Sequence, residues 1–484
     1  MSRNETEKTA CHTYQPLNQS LLLVLPVPMQ KKDGRRYVES QAVNGLLRWA
    51  DNFDHVTAAI VSYPGDIAEQ VPGVKWECID DRADLERVTV IDLPYGYTPR
   101  MHFRHLSEVK KTLEPLISSA SYLCFAIGGY FGDWPTVAAH QAIAMGRHFA
   151  VWTDRVESRV IRYDYSRKRN LFRRLYGRIY GLWVGIRERR IIQRATLGLF
   201  HGRDTYDAYA HLIAHSYNVS NIHLRLEDRI STNELMRKGD SALKETRTQA
   251  FLVHDIHLSG NDRIPSASFE AKASLTVRPE TRNSATRRPL IIGYAGRAAE
   301  MKAPLDWLAI IKRSVANGID LRATWLGDGP LLPVMRDFVD KNRLDQVVHL
   351  PGFVGDRRHV VEQLRSWDIL LFTHVTPESP RILLEALVSG TPIVGYDSPY
   401  ARDLVQGFGE EYLVPIGAID ALAAQLVLLD QDRRKLVQLM RNSYAASEHF
   451  NDTATFRHRS DLIKRYVPPW NPDAGSRASV TPRE

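Results

Sequence analysis

The sequence predicts an α/β protein of two Rossmann-like domains whose parallel sheets face a central cleft. Three observations carry this. From Ser20 onward, short β-rich runs alternate with helix-periodic stretches, the pattern of a parallel sheet covered by helices on both faces. Residues 261–288 break that rhythm with a Ser-, Thr-, Ala- and Arg-rich stretch that lacks a sustained apolar stripe, and a second run of the same kind begins at Leu290. The 484 residues also exceed what one hydrophobic core organises, since a domain takes about 150.

In chain order, a polar leader occupies residues 1–19. The first domain is assigned to 20–260, with the buried-strand run LLLVLPV, the helix-periodic ESQAVNGLLRWADNF, and the strand runs VTAAIVSY, VTVIDLP, YLCFAIG, FAVWT, LGLFHG and FLVHDI. After a linker at 261–288 the second domain covers 289–415. Its strands LIIGYAG, LRATWLG, VVHL, DILLFTH and PIVGYD are separated by helices such as APLDWLAIIKRSVANG, which closes on Gly318, and RILLEALVSG. Helices packing across the domains are expected over 416–466 and a frayed tail over 467–484. Ligands of such sheets bind beyond the carboxyl ends of the strands, where the loops 296–303, 327–330, 352–355 and 374–380 should gather.

Composition removes several classes. Cys11, Cys78 and Cys124 are scattered, with no CxxC pair and no cluster of histidines at metal spacing, so neither a disulfide framework nor a zinc site is indicated. His254 and His257 lack a third ligand and read as packing or interdomain polar contacts. The first residues do not have the basic-then-apolar layout of a secretory signal, and the apolar run Leu21 to Val27 is too short to span a bilayer. A cytoplasmic location is expected. The net charge of +8 favours acidic partners such as phosphates, nucleotides or anionic lipid. Residues 159–194 are densely basic with interleaved Tyr, Phe and Trp. They favour a peripheral place on anionic lipid, at the inner face of the plasma membrane, over a solvated face; nucleic acid is not the expected partner.

Two stretches of the second domain carry chemistry. In HVTPESPRILLEALVSGTPIV, Glu385 lies in an otherwise oily helix, where an unpartnered carboxylate is costly. Ser379 can cap this helix with Pro380 at its first position, which turns free backbone amides toward the cleft as a phosphate site beside Arg381. Glu385, two turns along, can accept hydrogen bonds from sugar hydroxyls, or it can be the partner of a core arginine. In GYAGRAAEMKAP, Gly293 and Gly296 allow a tight turn after a strand, and Arg297 and Lys302 can close on a diphosphate, the one as a fork and the other as a point charge. Taken alone, they are ordinary surface cations of a strand-to-helix loop.

Four elements in order, GYAGR with Lys302 behind it, WLGDGPL, HLPGFV and ESPRILLEALVSGTPIV, resemble the retaining GT4 glycosyltransferases of the GT-B fold. The resemblance implies that Arg297 and Lys302 clasp the diphosphate of a nucleotide-sugar, UDP- or GDP-linked, and that the Phe353–Val354 loop meets the base. It further implies that Glu385 binds the ribose, and that Glu378 with the following amides at Ser379 and Pro380 contacts sugar and phosphates. Arg297, Lys302 and Glu378 become the catalytic candidates, with no metal and no cofactor beyond the nucleotide-sugar. The family's two glutamates usually lie one position further apart than the seven that separate Glu378 from Glu385, and Pro377 occupies the expected site. The implied reaction moves a sugar onto a hydroxyl of a sugar or lipid-linked glycan acceptor, with retention. A GT-B nucleotide-sugar epimerase and an inactive scaffold at the membrane surface are the alternatives.

The first domain supplies softer candidates. Gly34, in PMQKKDGRRY, lets the backbone approach the donor phosphate or makes a plain turn. Asp133, Asp154, Arg155 and Glu157 follow strands and are candidates for the acceptor side, Asp154 being equally a helix N-cap.

Overall fold

A computed structural model describes residues 19–68, 74–220, 222–246, 286–376 and 378–470. The leader through residue 18, most of the linker, the FLVHDI run with His254 and His257, Pro377 and the tail from 471 lie outside the described residues.

The first domain is one nine-stranded sheet. Its strands are β1 (Ser20–Lys32), β2 (Arg35–Glu39), β3 (His55–Tyr63), β4 (Trp76–Cys78), β5 (Val88–Pro94), β6 (Tyr122–Ala126), β7 (Ala150–Thr153), β8 (Leu197–His201) and β9 (Ser216–Val219). The start of β1 lies parallel between β3 and β6 and is buried on both sides, which is why SLLLV shows no polar alternation. Leu21 and Leu23 pack with Trp49 and Phe53, whereas Leu22 and Val24 pack on the other face with Val109 and Trp134. Between Val24 and Pro28 the register against β3 shifts, and β1 continues into an antiparallel hairpin with β2. Asp33 (φ 51°) and Gly34 (φ 74°) form its two-residue turn, a conformation that Asp-Gly favours.

A short antiparallel ladder of β10 (Glu245–Thr246) and β11 (Thr286–Arg287) precedes the second domain. There β12 (Leu290–Ala295), β13 (Leu321–Leu326), β14 (Val348–Gly352), β15 (Ile369–Phe372), β16 (Ile393–Tyr396) and β17 (Leu413–Val414) form a wholly parallel sheet in the order β14-β13-β12-β15-β16-β17. Strand order reverses between β12 and β15, the topological switch point beside which open α/β sheets bind their ligands. Gly293 lies inside β12, where a Cβ would stand 1.8 Å from Trp367, so it serves packing rather than the turn expected of it.

The chain does not respect the boundary at 260. Helix Thr232–Leu243 places Leu235 and Ala242 in the core of the second domain, and its buried Lys238 donates to Ser389 O (3.2 Å) and Thr391 Oγ1 (2.6 Å). Its apolar stripe is complemented only there. The helices Ile419–Gln431 and Arg433–Ala446 also bury Leu426, Leu436 and Met440 in that core. The helix Asp452–Tyr466 instead returns to the first domain, where Phe456 and Ile463 join Trp49, and the fully buried Arg459 guanidinium lies 3.9 Å from the Trp152 ring centre.

Candidate active site in the interdomain cleft

The loops after β12 and β15 are fastened together: Val375 N donates to Met301 O (3.0 Å) and Thr373 Oγ1 to Lys302 O (2.9 Å). Lys302 Nζ then lies 2.6 Å from Glu378 Oε1, and His374 Nδ1 lies 2.9 Å from the same oxygen. Behind them, the Tyr294 hydroxyl is 2.5 Å from His374 Nε2. Assigning the imidazole proton to Nδ1 lets Tyr294 donate to Nε2 and His374 donate to Glu378. Burial opposes ionisation of Glu378, but the hydrogen bond from His374 and the charge of Lys302 outweigh it and hold the carboxyl at about 2. Burial, together with the neighbouring Lys302, lowers His374 to about 3. The ring is therefore neutral at pH 7, and Lys302 carries the compensating charge. Burial also lowers the Lys302 ammonium from its ordinary value, against the pull of Glu378.

Beside this cluster a cavity of about 360 Å³ separates the domains, within the range of small-molecule sites. From the second domain Gly296, Arg297, Phe353, Val354 and Glu385 line it; from the first come Glu39, Ser40, Gln41 and Lys75. Arg297 is exposed and makes no ion pair or hydrogen bond among the described residues. Phe353, 51 % exposed, offers an open aromatic face. Glu385 is held by Arg357, whose Nη1 lies 3.3 Å from Oε1 while its Nη2 reaches Asp228 Oδ2 at 3.4 Å. Glu385 is thus the partner of an arginine, as one reading has it, and it also lines the cavity. Lys302 and Glu378 are not part of that wall, because they pair with each other.

Several expected positions move. Helix Arg381–Val388 has Pro380 at its N-cap and no side-chain cap. Ser379 is unavailable for capping because its hydroxyl donates to His201 O (3.0 Å) in the first domain, while His201 Nε2 faces Ser379 O at 3.2 Å. Arg381 donates across the cleft to the lining residue Gln41. Gly34 sits exposed at the tip of the β1–β2 hairpin and lines no part of the cavity, because its positive φ is used by the turn. Asp133 is turned inward: its Oδ2 accepts from Gly128 N (2.8 Å), Gly129 N (2.6 Å) and Thr136, and burial raises the carboxyl to about 6 despite those bonds. It shapes a loop and cannot reach an acceptor. Asp154 takes a hydrogen bond from Trp152 Nε1 (2.7 Å), and the helix that follows is capped by Val156, so Asp154 is no N-cap. Arg155 and Glu157, paired at 2.6 Å, do approach the site, since Arg155 forms an isolated antiparallel bridge with Glu378 across the domains.

The sequence reading passed over His374, Tyr294, Arg357 and the first-domain wall. A histidine just after a strand at the switch point was the one legible signal among them. Among the described residues, no group of three or more His, Cys, Asp or Glu is placed to hold a metal.

Residues 289–432 match the family model of the glycosyl transferases group 1. The chain is 31 % identical over 149 residues to 2-deoxystreptamine N-acetyl-D-glucosaminyltransferase of Streptomyces fradiae, covering 30 % of this chain and 35 % of that one. It is 23 % identical over 294 residues to the amylovoran biosynthesis glycosyltransferase AmsK of Erwinia amylovora, covering 58 % of this chain and 66 % of the relative. The chain thus spans less than two thirds of the length of these relatives. In three dimensions it is similar to HepE from Anabaena, solved in complex with UDP, with a TM-score of 0.56 at 13 % identity over 92 % of this chain and all of that one. The match to the glycosyl transferases group 1 thus lies over the second domain, and the two domains together make the GT-B fold.

Proposed function

We propose that this protein transfers a sugar from a nucleotide-diphosphate donor, UDP- or GDP-linked, to a hydroxyl of a sugar or lipid-linked glycan, with retention and without a metal, in polysaccharide, glycolipid or other glycan biosynthesis. The observation that carries the proposal is the cavity at the carboxyl ends of β12, β13 and β14, where Arg297 stands without a partner among the described residues, beside the open ring of Phe353 and the carboxylate of Glu385. As the glycosidic bond breaks, negative charge grows on the departing diphosphate. Arg297 and the free amides at the start of the Arg381 helix stabilise that charge. Lys302 joins them by exchanging Glu378 for a phosphate oxygen, which frees the carboxylate to face the sugar. Gln41 and Lys75 close the donor from the opposite wall.

The test is a thermal-stability screen against UDP-, GDP- and ADP-sugars, in which a ligand at about a hundred times its Kd adds about 2.7 kcal/mol. One class should stabilise the protein, and nucleoside diphosphate should be released when acceptor is supplied. Arg297→Ala should leave the melting temperature in place and lower turnover at least about tenfold. Product from donor alone would favour the epimerase, and no release from any donor would leave an inactive scaffold.

A further inference from the structure

The helix Leu171–Ile192 packs against its neighbour Glu157–Ser166 through one side only. Gly177, Gly181 and Gly185 recur there at every fourth position, and a Cβ on Gly177 would stand 2.0 Å from the Cβ of Tyr165. That close approach seats the helix firmly, with Val184, Ile191 and Ile192 buried beneath it. The other side is apolar and open: Leu171 is 73 % exposed, Leu175 55 %, Ile179 61 %, Leu182 62 % and Ile186 42 %. At about 100° per residue these five fall within an arc of about 80°. An apolar arc of this kind on a soluble helix normally faces a core, and this helix already has its core on the far side.

The aromatic residues widen this face along one flank, where Phe172 is 82 % and Tyr176 50 % exposed. Tyr180 stacks on Trp183 (5.8 Å between ring centres) and Trp183 on Phe131 (5.0 Å). Phe131 in turn meets Phe103, 64 % exposed on helix Pro99–Ser119, at 5.9 Å. The apolar surface therefore continues onto a second element, where the exposed Arg100 and Arg104 bracket Phe103. Around the stripe Arg173, Arg174, Arg178, Arg189 and Arg190 are exposed, and the one acid of the helix, Glu188, is buried. A second copy docked here would set these arginines against one another. An anionic surface complements them.

We infer that this face seats the protein on an anionic lipid bilayer, the Leu/Ile stripe entering the acyl boundary and the arginines engaging lipid phosphates. Among the described residues no helix is long and apolar enough to cross a membrane, so the association is peripheral. Arg167, at the turn leading into the helix, pairs with Glu300 (2.9 Å), two residues from Lys302. The stripe thus begins at the rim of the cleft, and a bilayer beneath it lies beside the cleft's opening. The inference does not depend on the transfer chemistry.

The test is flotation of the purified chain with phosphatidylcholine vesicles and with vesicles of phosphatidylcholine mixed with phosphatidylglycerol. Binding to the mixed vesicles alone, reversed by high salt, is expected. Leu175→Glu, Ile179→Glu and Leu182→Glu combined should abolish flotation without lowering the melting temperature. Neutralising Arg173 and Arg174 to Gln should weaken it about fivefold per residue. Wild-type chain that fails to float with the mixed vesicles overturns the inference. So does a wild-type dimer that the triple variant converts to monomer, because a second copy would then be the occupant.

Discussion

The Lys302–Glu378 pair offers a quantitative test of the site. At 2.6 Å and an effective dielectric constant of about 20, the two charges attract by about 6 kcal/mol. Both side chains are largely buried, 14 % and 15 % exposed, and desolvation takes back several kcal/mol per ion. The pair is therefore close to neutral for stability, whereas removing one member strands the other. Lys302→Met leaves the carboxylate with only His374 and Thr376 as donors and should cost about 3 kcal/mol. Glu378→Gln keeps an acceptor oxygen and leaves an ammonium that burial already disposes to lose its proton, so about 2 kcal/mol is expected. The double variant should cost less than the sum by at least about 1.5 kcal/mol. Urea denaturation of the four proteins at one pH measures this. Costs that add to within about 0.5 kcal/mol would refute the pairing and with it the view that donor binding must break it.

Three further outcomes follow from named residues. Arg297→Ala separates chemistry from stability, because the side chain has no partner among the described residues to lose. Gly202→Ala places a Cβ 2.1 Å from Ser379 Oγ and 2.7 Å from Tyr400 Cδ2 at a φ of +76°, which should cost about 2–4 kcal/mol and loosen the domain contact, read by the melting temperature and by protease sensitivity. His374 has a folded value of about 3 against an ordinary 6.5, so the unfolded chain binds its proton first. Its contribution is complete above pH 6.5 and declines as pH falls toward 3. A His374→Asn variant should lose stability less steeply than wild type across that window.

The sequence by itself determined the alternation of strands and helices, because short continuous apolar runs such as LLLV and ILLF, set between turn signals and helix-periodic stretches, fit strands buried on both faces, and it marked the loops that leave those strands. It also put Arg297, Phe353, Val354 and Glu385 on such loops or on the helix after them, which the sheet order gathers around one cavity. What it did not contain was partnership. Whether Lys302 stands free or pairs with Glu378 and whether Ser379 caps a helix or clasps His201 both depend on groups far away in the chain. The same holds for helix Thr232–Leu243, whose apolar stripe is legible while the domain that buries it is not. Local pattern records what a residue can do; only the packed structure decides which long-range contact satisfies it, because burial makes an unpaired polar group too costly to leave alone.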